Sequence, residues 1–198
     1  MQYQLGSAEK GVKVKMEFLE LAGARYSVRK FDGTKPVEKE KLDKILEAGR
    51  IAPTGCNYQP QRILVIQNKE KLEALRKATP YIYGAPVVLV LCYDWKEVWS
   101  GRGGKEGGDV DCTIVGTQMM YEAEEQGLGT LWVGGFDPEA LREIAGIPEF
   151  LEPSMMMDIG YRREDCHPAR SLHFNRKPLS ETVFYENFEG AVPGKDNH

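Results

Sequence analysis

Apolar positions along this chain recur with two different periods, and the period predicts the element. Between Pro36 and Pro53, Leu42, Ile45, Leu46 and Gly49 fall at i, i+3, i+4 and i+7, with charges between them. That spacing predicts a surface amphipathic helix, opened by one proline and stopped by the other. "KEKLEALRKA" predicts a second amphipathic helix. "RILVIQ" and "APVVLVLCYD" are continuous apolar runs instead, the pattern of strands buried on both faces. "TLWVGG" and "SMMMDIGY" predict two further strands. A long helix is expected over "DVDCTIVGTQMMYEAEEQG", with Asp109 and Asp111 in its first turn, where the helix dipole favours carboxylates, and Gly127 as its C-terminal cap. In "DPEALREIAG", Asp137 is an N-cap, Pro138 takes the first helical position and Gly146 lies just past the end.

Near the start, "KVKMEFLELAGA" reads as a short helix ending near Gly23, and "ARYSVRKF" as extended because its side chains alternate. After Tyr161 the chain turns polar, and "RKPLSETVFYEN" reads as an extended tail. Helices outnumber strands and the two are mixed, which defines an α+β class. No internal repeat or linker interrupts the pattern. The expected organisation is a flexible leader over residues 1–14 and one domain over residues 15–190.

Composition narrows the function classes. The length of 198 residues suits one domain of ordinary size. A net charge of −4 argues against nucleic acid as a partner, so a basic patch has to be local. No apolar run approaches the ~20 residues of a membrane span, and the N-terminal stretch lacks the apolar core of a signal peptide. A cytoplasmic location is the resulting expectation, with no membrane partner. Cys56, Cys92, Cys112 and Cys166 are scattered without a C-x-x-C pair, and His167 and His173 have no acidic ligands at metal spacing. No metal site is expected. The glycine-rich "GRGGKEGG" fits neither the phosphate-loop nor the dinucleotide fingerprint, and no G-x-S-x-G exists for a hydrolase elbow.

What remains is a set of polar and anion-binding groups. Arg25, Ser27 and Arg29 occupy every second position of an extended stretch, with Tyr26 between them. Guanidinium forks in that arrangement suit a phosphate and a second electron-rich atom; the other reading is a basic strand paired with surface acids. The loop "APTGCNYQP" offers Pro53, Thr54, Asn57 and Gln59. Amide side chains present donor and acceptor together, which suits the edge of a heterocycle, although an ordinary turn with self-satisfied side chains has the same composition. "WVGGF" ends a strand at Val133 with Gly134 and Gly135, where a backbone can approach a flat ligand closely or simply make a tight turn. "NRKPL" places Arg176 and Lys177 late in the chain.

Together and in this order, these segments resemble the FMN-dependent nitroreductase family. The resemblance runs from about Ala24 to Val183 and rests on R-x-S-x-R, on A-P-T-G-x-N-x-Q-P, on W-V-G-G and on R-K-P-L. It implies a nitroreductase-like α+β fold, with a central mixed or antiparallel sheet surrounded by helices, and an interlocked homodimer with two FMN sites shared between subunits. Arg25 and Ser27 would hold the phosphate and ribityl chain, with Tyr26 in the same segment. Arg29 would reach the N1/O2 edge of the flavin, and Pro53, Thr54, Asn57 and Gln59 would come from the neighbouring subunit. Val133, Gly134 and Gly135 would bring a backbone N–H near flavin N5, and Arg176 would close on the phosphate from an arm over residues 176–190 that crosses the partner.

The implied activity is that of an NAD(P)H oxidoreductase. NADH or NADPH would reduce FMN at N5 and leave, and a nitroaromatic, quinone or similar small acceptor would then take the electrons. No protein group needs to act as acid or base, since the flavin carries the chemistry and Arg29 would stabilise its reduced form. The alternatives are an FMN-binding protein serving as flavin store or electron relay, and a non-redox binding protein. Cys56 would lie near the cofactor, and the loop over residues 95–108 would shape the acceptor pocket.

Overall fold

The computed structural model describes residues 17–101 and 107–191. The expected leader over residues 1–14 and the middle of the 95–108 loop fall outside them. The chain divides into two compact units, Met1–Cys166 and His167–His198.

The first unit is built on a four-stranded antiparallel sheet in the order β1-β2-β4-β3. The strands are β1 (Gln61–Ile66), β2 (Val87–Asp94), β3 (Gly129–Val133) and β4 (Leu151–Gly160). β2 is buried throughout up to Asp94, as its apolar run predicts. β1 differs from expectation: it is an edge strand, and Arg62 and Leu64 face outward while Ile66 is buried. Ile63 and Val65 pack on one core and Ile66 on the other, but an edge strand has one neighbour, here β2, and cover over the face of Arg62 and Leu64 is complete only at Ile66.

β4 begins earlier than "SMMMDIGY" and runs through Pro153. The register against β2 shifts between Leu91 and Cys92, from a Met155 partner to a Pro153 partner. Proline cannot donate to a ladder, and an irregularity at that point lets a central strand contain it.

Two cores cover the two faces of this sheet. On one, α4 (Gly108–Glu125) and α2 (Lys39–Arg50) pack Val115, Met119, Leu42 and Ile45 against Leu89, Leu91, Met155 and Met157. On the other, Val28, Phe31, Leu75, Ile82 and Leu141 cover Val88, Val90, Leu131 and Met156. α5 (Pro138–Ala145) starts and stops where its signals lie: the Asp137 carboxylate accepts from the N–H groups of Glu139 and Ala140, and Gly146 closes it at φ 68°. Among the described residues, the remaining α-helices of this unit are α1 (Phe18–Ala24), preceded by Glu17 in an extended conformation, and α3 (Lys69–Ala74); the expected earlier start of α1 at residues 13–16 lies outside the described range. Among the described residues no helix is long and apolar enough to cross a membrane.

Among its described residues the second unit has a four-residue helix α6 (Arg170–His173) and, within the stretch expected to be an extended tail, one 3-10 turn, Leu179–Glu181. Leu172, Phe174, Leu179, Tyr185 and Phe188 are all exposed.

Candidate functional site

The "ARYSVRKF" segment is extended and joins the sheet at a single point. Ser27 forms a parallel bridge with Thr130 of β3, and the Val28 N–H donates to the Thr130 carbonyl at 2.9 Å. The parallel bridge adds the one mixed feature to an otherwise antiparallel sheet. Val28 and Phe31 are buried, whereas Arg29 is exposed, with a long 3.4 Å contact to the Ser27 carbonyl.

The segment is clamped from behind by the chain that follows β4. The Asp32 N–H donates to the Tyr161 carbonyl at 2.9 Å, the Arg163 N–H to the Lys30 carbonyl at 3.1 Å, and the Tyr26 hydroxyl to the Cys166 carbonyl at 3.0 Å. The Tyr26 hydroxyl therefore serves the fold. Beneath it, Arg162 forms a mostly buried ion pair with Glu124 and lies 5.1 Å from the Tyr26 ring centroid. Burial pushes the Glu124 carboxyl above its usual range, while Arg162 and then Arg25 draw it back. Arg25 thus sits in the field of a buried carboxylate.

Gly134 and Gly135 follow β3 on the same edge of the sheet. Both are exposed, and among the described residues neither N–H donates a hydrogen bond. A Cβ on Gly134 would meet nothing within 4 Å. The Gly135 carbonyl accepts from the Thr79 hydroxyl at 2.7 Å, which fixes the turn. Val133 has its side chain in the core, so only its backbone is available. The segment containing Tyr81 and Tyr83 ties this turn to the basic stretch. Tyr81 Cε2 lies 3.1 Å from where a Gly135 Cβ would stand, and the Tyr83 carbonyl accepts from the Phe31 N–H at 3.2 Å. The two rings stack with centroids 6.3 Å apart.

The loop carrying Pro53, Thr54, Asn57 and Gln59 leads into β1, the opposite edge of the sheet. Three spacings of about 4.8 Å separate β1 from β3, or about 14 Å. α4 gives a second measure, along its own axis. In its first turn Asp111 accepts from the Gly55 N–H of this loop at 2.8 Å, and in its last turn Glu124 holds Arg162. Thirteen residues at ~1.5 Å each put these two points about 20 Å apart. One chain therefore brings Arg25, Ser27 and Arg29 to the same edge as Gly134 and Gly135, and carries the Asn57 and Gln59 loop to the other.

That loop holds three non-glycine residues at positive φ: Cys56 at 48°, Asn57 at 59° and Gln59 at 52°. Its bonds are mostly internal, with the Thr54 hydroxyl accepting from the Gln59 N–H at 3.1 Å and the Gln59 amide donating to the Asn57 carbonyl at 3.2 Å. The Trp99 side chain packs on Gly55, so the 95–108 loop adjoins this one. Cys56 is exposed, and the other three thiols are buried; burial pushes Cys92 up to about 11 and Cys112 up to about 12. In the second unit, Arg176 donates to the Leu172 carbonyl at 2.7 Å and is exposed. Sequence reading missed Asp111, Glu124, Arg162 and Tyr81. Each acts through a contact far along the chain, and the one local signal was Asp111 in a first turn.

The sequence matches the nitroreductase family over residues 22–80 and 78–161. A nitroreductase family protein of Clostridium difficile 630 has the same fold with TM-score 0.80 and 45% identity, over 87% of this chain and 99% of that one. An FMN reductase (NAD(P)H) of Bacillus subtilis is 31% identical over 173 residues, which is 77% of this chain and 67% of the relative. An NADH dehydrogenase of Thermus thermophilus is 29% identical over 188 residues, 78% of this chain and 91% of the relative. The chain belongs to the nitroreductase family of oxidoreductases.

Proposed function

We propose that this chain is an FMN-dependent NAD(P)H oxidoreductase working as a homodimer with two shared sites. The observation that carries the reading is the split of the site between two sheet edges. The half-buried Arg25, the exposed Arg29 and free glycine N–H groups lie at one edge, and the amide-bearing loop at the other. A two-fold dimer lets each chain supply one half to each site. The relative named as an FMN reductase using NAD(P)H supports the cofactor and the donor.

The residues present fit FMN. Arg25 and Ser27 bind the phosphate end, where a guanidinium fork and a hydroxyl match phosphate oxygens. Arg29, exposed, would supply a cation to the electron-rich edge of the ring. Gly134 and Gly135 offer two unused N–H donors; the space over Gly134 is open, and the Tyr81 ring lies against Gly135. Thr54, Asn57 and Gln59 of the second chain, with Pro53 at the head of their loop, would supply the remaining polar contacts to the ring. Arg176 and the exposed apolar residues after it form the arm that lies on the partner. When bound, FMN supplies the redox chemistry between the nicotinamide and a quinone-like or nitroaromatic acceptor.

The purified protein is expected to carry a flavin spectrum that NADH or NADPH bleaches under anaerobic conditions and that a quinone restores. Arg25→Ala should weaken FMN binding by about 10- to 150-fold, the equivalent of a charge-assisted bond worth roughly 1.5–3 kcal/mol. A flavin that no nicotinamide bleaches would make the protein a flavin store or relay. Unchanged FMN affinity in Arg25→Ala would remove this segment from the site.

A further inference from the structure

The loop over residues 53–59 has a conformation that its sequence does not favour. Cys56 and Gln59 are not residues that adopt a left-handed backbone readily, and Asn57 beside them is left-handed too. Such a run persists only where its surroundings over-determine it. Among the described residues, one hydrogen bond ties residues 53–58 to another element: the Gly55 N–H to Asp111 Oδ1 at 2.8 Å. Asp111 is only 3% exposed, and its other oxygen, Oδ2, is buried without a hydrogen-bond partner. A buried carboxylate is costly to keep, and among the described residues the Gly55 N–H is the one hydrogen-bond donor to Asp111's carboxylate that offsets this cost. Trp99 then seals the same point, because its side chain lies against Gly55 where a Cβ would stand 3.1 Å from the Trp99 Cβ.

We propose that Asp111 is the positioning residue of this loop. From the first turn of α4 it fixes the left-handed path that presents Asn57 and Gln59, and it thereby sets the affinity of the second chain's site for FMN. The link to FMN rests on the function proposed above; the hold on the loop does not. Charge strengthens the bond to the N–H, and the position near the start of a helix favours the carboxylate.

The experiment is amide exchange by mass spectrometry on the full chain, with and without FMN, for wild type, Asp111→Ala and Asp111→Asn. In Asp111→Ala, exchange over residues 54–59 is expected to quicken at least tenfold while β2 and β4 keep their protection, and FMN affinity falls at least tenfold. Asp111→Asn retains an acceptor oxygen and restores most of both. Should the alanine variant not fold, Asp111→Ser, whose hydroxyl falls short of Gly55, gives the same readout. Unchanged exchange over residues 54–59 overturns the positioning role. Faster exchange with unchanged FMN affinity overturns the link to the cofactor, and with it the place of Asn57 and Gln59 in the site.

Discussion

Asp158→Asn is expected to make the protein more stable at pH 8 than wild type, and to remove most of the pH dependence of stability between pH 4 and pH 9. Asp158 lies near the end of β4, a central strand, paired with Val88 of β2 and Leu131 of β3. It is wholly buried, and neither carboxylate oxygen has a hydrogen-bond partner. Burial pushes its carboxyl up to about 9. In the unfolded chain the same group ionises near 3.8.

The folded state therefore holds a proton that the unfolded state releases above that value. Stability falls as pH rises from about 4 and levels off above about 9. At ~1.4 kcal/mol per pH unit, the difference of about 5 units sets an upper bound of about 7 kcal/mol. Asparagine keeps the size and removes the titration. Its advantage over wild type should grow by about 4 kcal/mol between pH 5 and pH 8. Urea unfolding at those two pH values, at fixed protein and FMN concentration, reads this directly. Parallel pH dependence in the two proteins would mean that Asp158 is ionised and paired in the folded state.

Arg162→Ala is expected to cost about 3–5 kcal/mol, the usual loss when one partner of a buried ion pair is removed. The Glu124 side chain is 11% exposed and that of Arg162 22%, so the carboxylate left behind has little access to water. The loss has a pH signature. Without the guanidinium, burial acts on Glu124 with only Arg25 opposing it, so the carboxyl rises further. The penalty is small at acid pH, where Glu124 is protonated in both states, and grows as pH rises through the carboxylate range. Adding Glu124→Gln to the variant should recover part of the loss, because it removes the stranded charge. Denaturation midpoints of the single and double variants settle the matter, and a single-variant loss under about 1 kcal/mol would class the pair with surface ion pairs. FMN affinity should fall as well, since the chain that holds Arg162 also clamps Lys30 and Asp32.

These residues mark the limit of what the sequence made legible. α5 could be read to the residue, because Asp137, Pro138 and Gly146 act locally and each has a single mechanism. α2 and β2 were legible from period and run length. The edge position of β1 was not, because an apolar run does not say how many neighbours its strand will have. Pro153 concealed the first residues of β4, since a proline reads as a strand boundary until an irregularity in the partner's register absorbs it.

At the candidate site, Arg25, Arg29 and the glycine pair stood out as motifs, and the structure brings them to one edge. The left-handed path of Cys56 and Gln59 had no signal beyond a loop rich in Pro, Gly and Asn. Asp111 and Asp158 are both aspartates inside regular elements. One holds a distant loop and the other holds nothing among the described residues, and only packing tells them apart.

The central claim is that each FMN site takes one half from each of two chains. It is tested most directly by mixing an Arg25→Ala chain with an Asn57→Ala chain. Each variant alone carries the same defect in both of its sites. In a mixed dimer the two defects fall together in one site, and the other site is intact. Unfolding and refolding the mixture to exchange chains should therefore regenerate tight FMN binding, with half of the dimers mixed if exchange is random and one site intact in each. Activity should return in proportion to the mixed dimers formed. A mixture that binds no more FMN than the two variants separately, although mixed dimers form, would contradict the shared site and place the whole cofactor within one chain.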